Sequence, residues 1–246
     1  MLSFPSMTLL ALGAFFVGVS KLALPGLTTL SVVIFALVLP TKTSTAVLLI
    51  LLIVGDLLAV KTWFPYVHWD ALKKLFVGVL LGVLLGSWFL AKVPAHSLQK
   101  IIGTLILVLI AITFILQRST SINAQQRLAS PVTRYIYGTL AGFTTMTANA
   151  GGPVVTLYFL ASGYGVEAFL GTQAWFFFLV NLVKLPLALN VGLLNAHYTF
   201  IALALSPLVI VGAICGRYLV RYIKSEVFNN LVTILTLTTA LYLVIA

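Results

Sequence analysis

Apolar segments fill this chain from end to end, and they constrain its fold more than any other feature. Of its 246 residues, 61% are hydrophobic and 7% are charged, against roughly 25% charged in an ordinary soluble domain. A helix needs about 20 apolar residues to cross the hydrocarbon core of a bilayer, and this chain has room for several. The sequence therefore predicts an all-α, polytopic integral membrane protein and excludes a water-soluble globule.

The few polar features exclude several classes of protein. Fourteen Lys and Arg against four Asp and Glu give a net charge of +10, but the basic residues are spread thinly, which argues against a nucleic-acid surface. The single cysteine, Cys215, excludes an intramolecular disulfide framework, and the three histidines lie too far apart in sequence to predict a metal site. Residues 1–20 lack a basic n-region, so we interpret them as part of the mature protein.

Apolar runs bounded by charge, Pro or Gly predict ten helical stretches. Six are long enough to span a membrane: 43–60, 75–91, 101–116, 167–189, 199–216 and 227–246. The other four form two hairpins within 7–39 and 135–163, pairing 7–20 with 27–39 and 135–148 with 154–163. Each hairpin has a helix-breaking tip, defined here as the first tip (20–26) and the second tip (147–153). Short arms of this kind predict broken hairpins that re-enter the membrane.

The two halves of the chain match at an offset of 128 residues. This offset pairs Pro25 with Pro153, Ser44 with Thr172 and Asp56 with Lys184. The match predicts a first repeat over 1–118, a linker over 119–134 and a second repeat over 135–246, each repeat having one hairpin and three transmembrane helices.

Basic residues predict the orientation of these repeats. Segments 61–74, 117–134 and 217–225 carry nine of them and fall on one face, whereas the opposite face receives three. The positive-inside rule assigns the first face, with the 119–134 linker, to the cytoplasm and both termini to the outside of a plasma membrane, the inner membrane of a bacterium. The two repeats are then inverted, an arrangement that places binding sites near the midplane of transporters.

The first tip contains a lysine within an apolar segment. Lys21 follows Ser20 and precedes Pro25 and Gly26. A buried ammonium predicts an anion site, to which Ser20 and the helix start after Pro25 and Gly26 would contribute. The alternative is a lysine that snorkels to water.

The second tip offers hydrogen-bond donors without a charge. Asn149 stands among Thr144, Thr145, Gly151 and Gly152. Hydroxyl, amide and backbone N–H groups suit a small oxyanion, although these side chains could instead cap the broken helix.

Asp56 and Lys184 occupy equivalent positions in the two repeats with opposite charge. Inversion predicts that straight helices hold them far apart. Asp56 is a candidate proton-coupling group, with a pair to Lys61 or another nearby base as the alternative. Lys184 is a candidate for the cavity of Lys21, with snorkelling to the outer surface as the alternative.

Two further patterns predict packing. Gly78, Gly82 and Gly86 recur every four residues, as do Gly212 and Gly216, which indicates close contact between helices. The aromatic run 175–178 is predicted to pack against lipid or a neighbouring helix.

Four stretches together resemble the sulfite exporter TauE/SafE family: 18–27, 55–60, 144–153 and 171–186. The last two, TTMTANAGGP and GTQAWFFFLVNLVKLP, are long enough to be specific. The resemblance covers both halves, and Thr172 and Asn181 within the last stretch join the candidate site. It implies a secondary transporter of sulfur-containing anions such as sulfite, sulfoacetate or other organosulfonates, often outward and without a cofactor.

The sequence thus predicts a membrane transporter that binds a small anion between the two tips. The alternatives are a passive anion channel, a transporter of a non-sulfur anion such as a carboxylate, and a membrane-embedded enzyme, against which the lack of a converging catalytic set argues. Its predicted partners are the substrate anion and the lipid bilayer, and a homodimer is left open.

Overall fold

Helices make up nearly all of the part of the chain that the structure describes. The computed structural model describes residues 4–92, 104, 130–149, 151–190 and 196–224, with parts of 226–238, and no strand occurs among them. Its helices are α1 (Phe4–Leu22), α2 (Leu27–Val38), α3 (Thr41–Trp63), α4 (Trp69–Lys92), α5 (Pro131–Ala148), α6 (Gly151–Ala161), α7 (Val166–Asn190) and α8 (Ala196–Val220), with a 3₁₀ turn at Phe64–Tyr66. The all-α prediction is confirmed.

Five described helices are long and apolar enough to cross a membrane. They are Phe4–Leu22, Thr43–Tyr66, Trp69–Phe89, Val166–Asn190 and Tyr198–Val220. Four of them correspond to the predicted spans 43–60, 75–91, 167–189 and 199–216. The predicted span 101–116 (residue 104 aside), most of 227–246 and most of the 119–134 linker lie outside the described residues.

The first arm of the first hairpin is longer than predicted. Helix α1 has 19 residues and continues through Ser20 and Lys21 to Leu22, whereas the sequence predicted an arm ending at residue 20. The reason is that Pro25 is the first residue here that cannot continue a helix, so the break falls at the end of the first tip.

The second tip is also tighter than predicted. Helix α5 ends at Ala148, and Asn149 adopts the left-handed conformation with φ 52° and ψ 23°. Within the described residues it is the one non-glycine with positive φ, a conformation that asparagine tolerates better than most residues. Helix α6 begins at Gly151, so only residues 149 and 150 separate the two arms.

Glycine stripes join the two halves through two reciprocal interfaces. Helix α4 packs along α5, and α1 packs along α8. A methyl group on Gly82 would collide with the backbone of Thr139, and one on Gly212 would collide with the backbone of Phe15. The predicted close packing along both stripes is therefore confirmed, and the first arm of each hairpin packs against a long helix of the other half.

The outer face of α4 is apolar and exposed. Leu81, Leu84, Leu85 and Trp88 are all more than half exposed, whereas Val83 on the opposite face is buried. An exposed apolar face of this kind suits contact with lipid.

Candidate anion-binding site

A small cavity lies where the two tips meet α3 and α7. We call it the central cavity, and its lining is Ser20, Lys21, Pro25, Thr28, Leu52, Thr145, Asn149, Gly152, Leu170, Gln173, Ala174, Phe177 and Asn181. The space open to the centre of a water molecule is about 20 Å³, which is enough for about one water. The cavity is therefore contracted, and it draws its lining from both halves of the chain.

Hydroxyl groups connect the first tip to the start of α2. Ser20 Oγ donates to the carbonyl of Pro25 at 3.0 Å and accepts the backbone N–H of Thr28 at 3.0 Å. The hydroxyl groups of Ser20 and Thr28 also contact each other. These bonds hold the N-terminus of α2 at the cavity wall, with one of its free N–H groups satisfied as in a helix cap.

Lys21 forms a buried ion pair with Asp56. Its Nζ lies 2.5 Å from Asp56 Oδ1, and the two side chains are 7% and 0% exposed. The ammonium also lies 4.7 Å from the centre of the Phe177 ring, a cation–π distance. The snorkelling alternative for Lys21 is therefore wrong. The alternative that Asp56 pairs with a base is confirmed, with Lys21 in place of Lys61. Phe177 lines the cavity instead of only packing against lipid or a neighbouring helix.

The glycine before Asp56 makes room for this ion pair. A methyl group on Gly55 would come within 2.9 Å of Lys21 Cγ. The stem of Lys21 thus crosses α3 where there is no side chain, and this close approach brings the ammonium to the carboxylate.

Lys184 is buried beside the second tip. Its residue exposure is 2%, so snorkelling to the outer surface is wrong for it too. Its Nζ donates to the carbonyl of Thr145 at 2.7 Å and to Asn149 Oδ1. The lysine therefore ties α7 to the last turn of α5, as Lys21 ties α1 to α3.

The amide of Asn149 also links the second tip to the other half. Its Nδ2 donates to the carbonyl of Thr45 at 3.3 Å, while its Oδ1 accepts from Lys184. Asn149 thus combines the backbone turn that ends α5 with two side-chain contacts.

Asp56 and Lys184 are closer than the sequence predicted. Asn181 Nδ2 donates to Asp56 Oδ2 at 2.7 Å, and Asn181 lies three residues before Lys184 on the same face of α7. The prediction that straight helices hold the two charges far apart is wrong, because α3 and α7 pack against each other.

The charges around the central cavity do not cancel. Two lysines and one aspartate are buried there among the described residues, which gives a formal excess of one positive charge. Gln173 Oε1 and Asn181 Oδ1 are buried without a hydrogen-bond partner in the described part of the chain. The two ammonium groups can attract a small oxyanion once the cavity widens beyond one water, whereas these free amide oxygens can only accept hydrogen bonds.

Six predicted site residues lie outside the cavity lining. Two of them, Asp56 and Lys184, contact the lining residues Lys21 and Asn149, and four others do not reach the cavity. Their contacts are the bond of Thr144 Oγ1 to the Leu140 carbonyl at 2.7 Å, the bond of Thr172 Oγ1 to the Ala168 carbonyl at 2.7 Å, the packing of Gly26 on Leu235 and the packing of Gly151 on Thr145. Thr172 also accepts the backbone N–H of His68 at 3.0 Å. The structure does not bring these four into the cavity, whereas the other predicted residues line it or contact its lining.

The sequence reading missed several residues of the lining, chiefly Thr28, Gln173 and Phe177. Gln173, Phe177, Asn181 and Lys184 recur at helical spacing on one face of α7, a stripe in which three of four residues are polar. That stripe, in a helix as apolar as this one, was the signal that could have identified Gln173.

The fold and the cavity together define a polytopic membrane protein with a buried charged site at the meeting of two broken hairpins. The sequence profile described as sulfite exporter TauE/SafE matches residues 10–243, and the chain belongs to that family of membrane transporters. No curated protein and no solved structure gives a significant match.

Proposed function

We propose that this chain is a secondary transporter that binds a small sulfur-containing anion in the central cavity and carries it outward. Sulfite, sulfoacetate and other organosulfonates are the proposed substrates. The observation that carries the proposal is the excess of one buried positive charge between the two tips. A buried charge is costly unless it is paired, so an anion is the ligand that this site favours.

Residues of the lining, together with Lys184 beside the second tip, have separate roles in this proposal. Lys21 and Lys184 supply charge, and Asn149, Gln173 and Asn181 supply directed hydrogen bonds. The N-termini of α2 and α6, which reach the cavity through Thr28 and Gly152, supply the positive ends of helix dipoles.

The proposed architecture is two inverted repeats, 1–118 and 135–246, in a bacterial inner membrane with both termini outside. The reciprocal helix pairs α1–α8 and α4–α5 support a duplication. So do the contacts Lys21–Asp56 and Asn149–Lys184, because both partners of one are 128 positions from those of the other.

The orientation can be tested by cysteine labelling in a Cys215→Ser background. We expect a membrane-impermeant thiol reagent to label Asp70→Cys from the cytoplasm and Asn190→Cys from outside. The reverse pattern would overturn the orientation.

The contracted cavity favours a carrier over a passive channel. A space of about 20 Å³ must widen to admit an oxyanion, as in an alternating-access cycle. A carrier saturates and shows counterflow, whereas unsaturable current under an applied voltage would favour the channel.

The function is tested by flux of labelled sulfite and sulfoacetate into proteoliposomes. We expect Lys21→Ala to reduce flux by about tenfold to 100-fold, because the loss of a charged hydrogen-bond donor costs about 1.5–3 kcal/mol. Lys61→Ala is the matched control, since Lys61 is an exposed lysine at the end of α3. Undiminished flux in Lys21→Ala would contradict the role of Lys21.

The choice of anion is tested by ligand-induced thermal shifts of the purified protein. We expect sulfite or a sulfonate to stabilise it more than matched carboxylates do. Stabilisation by carboxylates alone would mean that the substrate is a non-sulfur anion such as a carboxylate.

A further inference from the structure

The ion pair that occupies Lys21 conflicts with its proposed role in anion binding. In the contracted cavity the ammonium of Lys21 is held by Asp56. An anion that takes Lys21 must therefore displace Asp56, and Asp56 is fully buried. A buried carboxylate that loses its counter-charge is strongly disfavoured and is neutralised by protonation.

Among the residues that the structure describes, no other base pairs directly with Asp56. Helix α1 contributes Lys21, α7 contributes Asn181 and Lys184, and α2 has no titratable side chain. Helix α8 approaches this part of α3 with the apolar Val209. Lys184 is already bonded to the second tip.

Asn181 can serve both protonation states of Asp56. Its Nδ2 now donates to Asp56 Oδ2 at 2.7 Å, and its Oδ1 is buried without a partner among the described residues. A half-turn of the amide would place Oδ1 where a protonated carboxyl can donate to it. A carboxylate paired only with lysines would lack such an acceptor.

The formal charges give the number of protons that the proposal requires. Lys21 and Lys184 carry two positive charges and Asp56 one negative charge. A divalent anion would bring the site to a net charge of minus one, and one added proton restores neutrality.

We propose that Asp56 couples anion transport to protons, so that each divalent anion crosses together with one proton. The inference rests on the proposed function. From the side to which the site is open, the anion takes Lys21, and one proton from water bonds to the carboxylate of Asp56. On the other side the anion leaves, the proton returns to water, and Lys21 pairs again with Asp56.

Sulfoacetate is the main probe, because its sulfonate and carboxylate both stay ionised near neutral pH, and any proton that moves with it is carried by the protein. Proteoliposomes with an enclosed pH-sensitive dye report protons, and labelled sulfoacetate reports anions. We expect one proton per anion in the wild type. Sulfite at mildly alkaline pH, where it is mostly divalent, is the second probe.

Binding to the purified protein assigns the proton to Asp56. With one proton taken up per anion, wild-type binding should weaken about tenfold for each unit of pH above the titration of the site. Asp56→Asn imitates the protonated state, so it should bind sulfoacetate without proton uptake and with little dependence on pH. The matched control is Asp70→Asn, an exposed carboxylate at the start of α4, which should behave like the wild type.

Each outcome decides one of the two proposals. Three results would overturn the coupling and leave the transporter proposal intact. They are transport by the wild type without protons, a folded Asp56→Asn that loses anion binding, and a folded Asp56→Asn that still takes up a proton. If Asp56→Asn does not fold, Asp56→Glu must shift the pH midpoint of binding, and an unchanged midpoint overturns the coupling. A wild type that carries neither probe overturns the transporter proposal itself.

Discussion

The two tips make equivalent contacts with different chemistry. We call Lys21–Asp56 the first tip contact and Asn149–Lys184 the second tip contact. In each, a residue of the tip reaches the long helix that follows its own hairpin. The first contact joins two opposite charges, whereas in the second a neutral amide faces an ammonium. The same geometry therefore holds both hairpins, and the unequal charges create the surplus that an anion can neutralise.

The positions around the two contacts also differ. Gly55 precedes Asp56, and its lack of a side chain admits Lys21. At the equivalent place in the second half Val183 precedes Lys184. The shorter Asn149 does not need to cross α7, because Lys184 supplies the length. In the first contact the long lysine comes from the tip, whereas in the second it comes from the helix that follows the hairpin.

The largest effect should come from removing one lysine from each contact. We expect Lys21→Met to lower the free energy of unfolding by about 3–5 kcal/mol, because it removes the counter-charge of the buried Asp56, which must then stay charged at a cost or take up a proton. Lys184→Met should cost less, about 1–3 kcal/mol, since it leaves only neutral acceptors unpaired. Thermal unfolding in detergent measures both, with the exposed Lys61→Met as the control.

A second substitution sharpens this test. Adding Asp56→Asn to Lys21→Met should restore most of the lost stability, because the uncompensated charge is gone. Equal losses for Lys21→Met and Lys184→Met, with no recovery in the double variant, would mean that charge does not distinguish the two contacts.

A smaller effect should follow when the second contact is made charged like the first. Asn149→Asp keeps the size of the side chain and tolerates positive φ, so it should keep the turn and pair with Lys184, while it loses the bond to the Thr45 carbonyl. It cancels the surplus charge, and we expect sulfoacetate to bind at least about tenfold more weakly, or about 1.4 kcal/mol. Calorimetric titration measures the change.

Asn149→Gly is the matched control, because glycine keeps the left-handed turn and removes the amide without adding charge. It should weaken anion binding less than Asn149→Asp does. Equal or tighter binding in Asn149→Asp would show that the surplus charge does not select the ligand.

The smallest effect should come from the neighbouring positions. We expect Gly55→Ala to reduce anion flux a few-fold, because the added methyl would lie 2.9 Å from Lys21 Cγ and must push it away. Val183→Ala should change flux little, since no lysine crosses α7 there. The two variants are compared by initial rates in proteoliposomes, and equal rates would remove the difference between the two contacts.

Periodicity and breakers were enough to predict most helices. Four spans were predicted to within six residues at each end, because a long apolar run satisfies its backbone hydrogen bonds in lipid by forming a helix. The error at α1 arose because Ser20 and Lys21 were taken as the end of the arm. Polar residues do not stop a helix, and the ring of Pro25 does.

The sequence predicted which residues belong to the candidate site better than it predicted which of them contact each other. Lys21, Asn149 and Lys184 were identified because polar residues within apolar segments are costly. Their partners were not, since a partner depends on which helix faces lie together. Thr172 was predicted to belong to the site, but it does not reach the cavity. Its hydroxyl donates to the Ala168 carbonyl in α7 and accepts the backbone N–H of His68.

The sequence by itself determined a helical membrane protein with two broken hairpins and a few buried polar residues, because hydropathy, proline and glycine act locally. Only the tertiary structure decided that Lys21 meets Asp56 and that Lys184 meets Asn149, because those contacts depend on how α3 and α7 pack against each other and against the tips. The surplus charge therefore follows from which residues are buried, which the sequence determines. Its location at one cavity follows from how the helices pack.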